Sequence, residues 1–134
     1  VSDALPPKKS AGGRLAFSFV WAFRGLGALL HTQANARIHL AATALVVVAG
    51  LACGITRGEW CAVVVVIGLV WTAEGLNTAI ETVVDLVSPE HHLLAGRAKD
   101  VAAGAVLCAA LTAAVIGLLV FVPRLSVLVG FDAF

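Results

Sequence analysis

Three long stretches of this chain carry no charged residue: Leu40–Ile55, Trp60–Ala73 and Val101–Pro123. A helix crosses a bilayer with about twenty predominantly apolar residues. The third stretch meets that requirement alone, and the first meets it once Ile38 and His39 are added at its boundary. The second is long enough only if it continues through Glu74 toward Val87, which places acidic residues in the lower half of a span. Composition supports this reading. Of 134 residues, 60% are hydrophobic and 13% charged, where a soluble domain averages about 25% charged. The expected fold is an all-α membrane protein. Residues 14–134 form one domain, with spans near 36–55, 60–87 and 99–122.

The placement of cations sets the expected topology. Lys8, Lys9, Arg14, Arg24 and Arg37 precede the first span against Asp3 alone, and Arg97 and Lys99 follow the second. Both regions are therefore expected in the cytoplasm, with the C-terminus outside. A net charge of +1 gives no ground for a nucleic-acid partner, and none is expected. Val1–Gly13 reads as a polar tail without apolar period. In Arg14–Leu30, apolar residues recur at three- and four-residue intervals, which suits a helix over about 14–32 lying in the membrane interface. A helix packed on the spans fits the same pattern. No cleavable signal pattern is present. Pro89 should end the second span near Val87–Ser88. Cys53, Cys61 and Cys108 read as small buried hydrophobes, and His31 and His39 as packing or interfacial histidines.

Glu74, Asn77, Glu81 and Asp85 are the exceptional residues of the second span. At roughly 100° per residue, Glu74, Glu81 and Asp85 fall within about 40° of one another, with Asn77 close beside them. A carboxylate in an apolar helix is costly unless it is protonated, paired or wet, so it defaults to a functional reading. Carboxylates one helical repeat apart, an adjacent amide, and Lys99-Asp100 at the same surface suit phosphoryl transfer. That chemistry needs a base for the attacking hydroxyl and cations around the phosphates. On spacing alone, two alternatives stay open: a polar cluster that fixes helix packing, and a proton-coupled transporter carrying its proton on Glu74.

The run Glu74-Gly-Leu-Asn77-Thr-Ala-Ile-Glu81-Thr-Val-Val-Asp85, followed by Ala95-Gly-Arg-Ala-Lys99-Asp100-Val-Ala-Ala-Gly-Ala-Val-Leu, closely resembles the signature of the prokaryotic diacylglycerol kinases. That family includes the undecaprenol kinases. Arg37-Ile-His-Leu40, the Asn77-Thr-Ala-Ile block and Ser88-Pro89 look most like the undecaprenol-kinase branch. The resemblance implies a homotrimer in the bacterial cytoplasmic membrane, with its N-terminus and active site on the cytoplasmic side. It implies transfer of the γ-phosphate of ATP, with Mg²⁺, to the hydroxyl of a membrane lipid, diacylglycerol or undecaprenol. By the same resemblance Glu74 matches the general base, with Asn77 organising the site, and Glu81 matches a metal-binding carboxylate. Arg14, Lys99 and Asp100 match residues that handle the nucleotide phosphates, and Trp21 falls where an aromatic side chain lines the nucleotide site. Glu90 and His92 fall in a loop that closes near the nucleotide. Asp85, on the acidic stripe, is assigned with Glu74 and Arg14 to the substrate.

One position departs from the family pattern. Gln33 stands where most members carry a glutamate that joins the Glu81 equivalent on the metal. A carboxamide oxygen can ligate Mg²⁺ but lacks the charge that attracts a hard cation. The expectation is a raised Mg²⁺ requirement, with a lapsed enzyme as the alternative.

Overall fold

A computed structural model describes the backbone of Ala11–Leu128; side chains are described for Leu15 and for residues 17–126. Four helices follow in order: α1 (Ala11–Thr32), α2 (Ala34–Ala52), α3 (Arg57–Val87) and α4 (Leu93–Leu128). The segment expected as a tail divides here, since Ala11–Gly13 belong to α1 and residues 1–10 lie outside the described residues. The Arg14 side chain also lies outside them. Three helices are long and apolar enough to cross a membrane: Ala34–Ala52, Arg57–Val87 and Leu93–Ser126. The 99–122 stretch lies within this last, longer helix.

Length decides where along α3 the chemistry can sit. At 1.5 Å per residue its 31 residues extend about 46 Å, against a hydrocarbon thickness of about 30 Å. One end must leave the hydrocarbon. Trp60, an interfacial residue by type, lies in the first turn, so about twenty residues reach the opposite boundary near Ile80. Glu74 is then inside the last turns of the hydrocarbon, and Asp85 is beyond it.

The first turn of α3 is firmly set. Thr56 is the N-cap, and its hydroxyl accepts from the Glu59 N–H while its own N–H donates to Glu59 Oε2 at 2.7 Å. This reciprocal arrangement satisfies amides that an isolated helix start leaves unpaired. Glu59 also accepts a two-pronged contact from Arg124 on α4: Nη1 donates to Oε1, and Nη2 to Oε2 at 2.7 Å. Antiparallel α3 and α4 are thereby tied at one end. The far end of α3 stops at Val87, two residues before Pro89, as proline sterics require.

Close packing at the capped end comes from Ile55, Val63 and Val120, with Val46, Trp60, Ile116 and Phe121 against them. Gly54 takes φ +59° in the α2–α3 turn, a conformation glycine adopts without strain. Gly50 is needed for space. A Cβ there would lie 2.9 Å from Trp60 Cη2 and 3.1 Å from Ile55 Cδ1. Gly50→Ala should therefore cost about 1–3 kcal/mol of stability by overpacking, read as a lowered unfolding midpoint in micelles. An unchanged midpoint would show that the indole moves aside freely. Cys53, Cys61 and Cys108 are free thiols, and Cys61 and Cys108 are exposed rather than buried. Cys108 lines an apolar groove between α3 and α4.

Candidate active site

The stripe on α3 does not face one environment. Glu74 is 1% exposed and Asn77 7%, Glu81 is half-buried, and Asp85 is exposed. The four residues share an angular position but descend out of the hydrocarbon, and the structure divides them between two places.

The first is a cleft of about 300 Å³ between three helices. Asn35, Ile38 and His39 come from α2, Glu74, Asn77 and Glu81 from α3, and Ala103, Val106, Leu107 and Ala110 from α4. The small α4 residues let that helix approach closely enough to close the third wall. Asn77 Nδ2 donates to Glu81 Oε1 at 3.0 Å, which turns the Asn77 carbonyl oxygen away from Glu81. Among the described residues, Glu74 Oε2 and Asn77 Oδ1 are buried with no hydrogen-bonding partner. Buried polar atoms are almost always paired, so two unpartnered acceptors in one cleft mark it as a place for a donor. A substrate hydroxyl supplies one.

The second place is a shelf beyond the end of α3. Asp85, Glu90, His91, His92 and Lys99 line a depression of about 150 Å³. Lys99 Nζ donates to Asp85 Oδ1 at 2.5 Å, and His92 Nδ1 accepts the Leu94 N–H at 3.2 Å. Both members of the ion pair are accessible, with side chains 36% and 66% exposed. Such a pair adds little stability, and its effect is to hold an ammonium at the membrane surface. Asp85 thus stands with Lys99, Glu90 and His92, apart from the cleft holding Glu74.

Other candidate residues lie outside both places. Gln33 is the N-cap of α2, makes no side-chain cap bond and is half-buried. Trp21 is exposed on α1, with the Arg24 guanidinium 5.1 Å from its ring centroid, a cation–π distance. Asp100 is exposed on α4.

Two residues lining the cleft were not assigned to the site from sequence: Asn35, and His39, read there as a packing or interfacial histidine. Their signal was spacing. Asn35, His39 and Thr43 recur every four residues and occupy one face of α2. That face meets α3: Trp71 Nε1 donates to Thr43 Oγ1 at 3.2 Å, and Thr43 Oγ1 donates to the His39 carbonyl at 2.7 Å.

Comparison with known proteins fits this geometry. The model of the family described as prokaryotic diacylglycerol kinase matches residues 20–121. The chain is 44% identical over 108 residues to an undecaprenol kinase of Bacillus subtilis, covering 81% of this chain and 88% of that one. It is 40% identical over 117 residues to a diacylglycerol kinase of Synechocystis, covering 86% and 67%. A diacylglycerol kinase of Escherichia coli is 51% identical over a shorter stretch of 47 residues, 35% of this chain and 38% of that one. A match running from the middle of α1 nearly to the end of α4, over a membrane-edge cleft holding Glu74, places the chain in the prokaryotic diacylglycerol kinase family of lipid kinases, on its undecaprenol-kinase side.

Proposed function

We propose that this lipid kinase transfers the γ-phosphoryl group of MgATP to the terminal hydroxyl of undecaprenol, with Glu74 as the general base. One observation carries the reading: a carboxylate 1% exposed, with one oxygen unpartnered, within the last turns of the hydrocarbon, where a lipid's hydroxyl can meet it from the bilayer. The hydroxyl donates to Glu74 Oε2. As its oxygen forms a bond to the γ-phosphorus, the proton passes to Glu74, the bond from the γ-phosphorus to the β–γ bridging oxygen breaks, and ADP leaves. Asn77 orients the site through its bond to Glu81. The Lys99–Asp85 pair, with Glu90, His92, Asp100 and Arg14 as further candidates, receives the nucleotide phosphates from the aqueous side, and Trp21 lines the approach. The cation excess before α2 and after α3 supports a cytoplasmic N-terminus and a cytoplasmic site, with ATP met there. Assembly as a homotrimer, with α1 in the interface, belongs to the same proposal.

Mg²⁺ enters as part of the nucleotide substrate. It dehydrates reluctantly and binds through one or two carboxylates plus phosphates. Two residues of the cleft could meet that demand: Glu81 offers one carboxylate, and Asn77 Oδ1 a neutral oxygen without a partner. With Gln33 lacking a second charge near the start of α2, half-maximal rate should need more Mg²⁺ than in Gln33→Glu. A Mg²⁺ series on both forms checks this, and superimposable curves would remove Gln33 from the metal's surroundings.

The reading is tested with γ-labelled ATP and the full chain in micelles. Label is expected in undecaprenol in preference to diacylglycerol. Preference for diacylglycerol would overturn the acceptor assignment.

A further inference from the structure

His39 lies where two cavities meet. It lines the polar cleft with Glu74, and it also lines an apolar groove of about 300 Å³ between α2, α3 and α4. Ala110 is the other residue common to both. From that junction the groove runs past Val70 and Val66 to Val63 on α3, with Ala113 and Gly117 of α4 on its opposite wall. Seven residues of helix make this a passage of about 10 Å toward the other face of the membrane. The position of His39 is held by the clasp already described, in which Trp71 binds Thr43 and Thr43 binds the His39 carbonyl. Trp71 is less than one turn from Glu74, so the clasp fixes the histidine's height against the carboxylate.

We propose that His39 is an acceptor-selecting residue: its ring N–H binds the oxygen of the lipid alcohol whose proton Glu74 takes, and the groove it opens receives the single chain attached to that alcohol. This rests on the function proposed above. The occupant follows from continuity. A hydroxyl donating to Glu74 Oε2 stands at the mouth of the groove, and its chain has an apolar path leading away. A second apolar groove, lined by Leu69, Leu76, Ile80, Ala105 and Thr112 among others, shares no residue with the first and reaches the cleft on another side, at Asn77. An alcohol held between His39 and Glu74 has the first groove beside it, and a single unbranched isoprenoid chain fits that groove.

The test measures kcat and the KM of acceptor and of MgATP separately, for the full chain in micelles, with a short prenol, undecaprenol and diacylglycerol. His39→Ala should raise the undecaprenol KM about tenfold, the worth of one hydrogen bond of ordinary strength, and leave the MgATP KM unchanged. His39→Gln, which keeps a donor, should recover most of the loss. His39→Phe, which keeps bulk without a donor, should not, and this pair decides the matter should the alanine variant fail to assemble. Ala113→Leu, which narrows the groove, should raise the KM of undecaprenol while sparing the short prenol. Equal effects of Ala113→Leu on both prenols, or no effect of any His39 variant, would overturn the inference while leaving the kinase reading intact. Ala113→Leu altering oligomeric state with prenol selectivity unchanged would give the groove to a second copy and also overturn it. A native chain phosphorylating no lipid alcohol would instead fail the proposed function itself.

Discussion

Glu74→Gln is expected to lower phosphoryl transfer roughly a hundred- to ten-thousandfold, the contribution of a positioned general base, with MgATP affinity and assembly preserved. Glutamine keeps the shape of a side chain that is 1% exposed, so packing of the cleft should not change. It cannot take the proton. The loss should therefore appear in kcat, with little change in the KM of either substrate. Single-turnover transfer to undecaprenol measures it, alongside nucleotide binding by fluorescence or calorimetry. A variant retaining more than half of the native rate would remove Glu74 from the proton path.

The second large effect is expected on the aqueous side. Lys99→Ala removes the ammonium that Asp85 holds at 2.5 Å. A charge-assisted hydrogen bond contributes about 1.5–3 kcal/mol, so kcat/KM for MgATP should fall roughly ten- to a hundredfold. The KM of the lipid should hardly move, because shelf and cleft are separate depressions. Stability should change by less than about 1 kcal/mol, since the pair is accessible to water. Asp85→Asn should give a smaller loss of the same kind, because the lysine remains but is no longer anchored. A Lys99→Ala phenotype confined to lipid KM would contradict the division into two sites.

Much of this was legible in the sequence because membrane physics writes in long runs. Three uncharged stretches give three spanning helices, and proline at 89 gives the end of α3 at Val87. The acidic stripe was legible as an angle, since 3.6-residue periodicity fixes which side chains share a face. Depth was not legible in that angle. Glu74 and Asp85 lie on one face but about 16 Å apart along the axis, far enough for one to be buried and the other wet. That Asn35 and His39 line the cleft was not legible for a related reason. In a helix read as a membrane anchor, isolated polar residues look like boundary markers until a facing helix is known. The Glu59–Arg124 tie joins residues 65 apart, and only the antiparallel packing of α3 on α4 brings them together. Residue-by-residue resemblance named Gln33 and Asp100 as site members, while in the structure neither lines the cleft or the shelf.

The most direct measurement is a competition. Purified chain, ample Mg²⁺ and ATP labelled at its γ-phosphorus are mixed with undecaprenol and diacylglycerol in the same micelles, and each lipid phosphate is counted. Label should accumulate mainly on undecaprenol and vanish from both lipids in Glu74→Gln. Folded, assembled protein that labels neither lipid, or labels undecaprenol equally well without Glu74, would contradict a buried carboxylate activating a membrane alcohol.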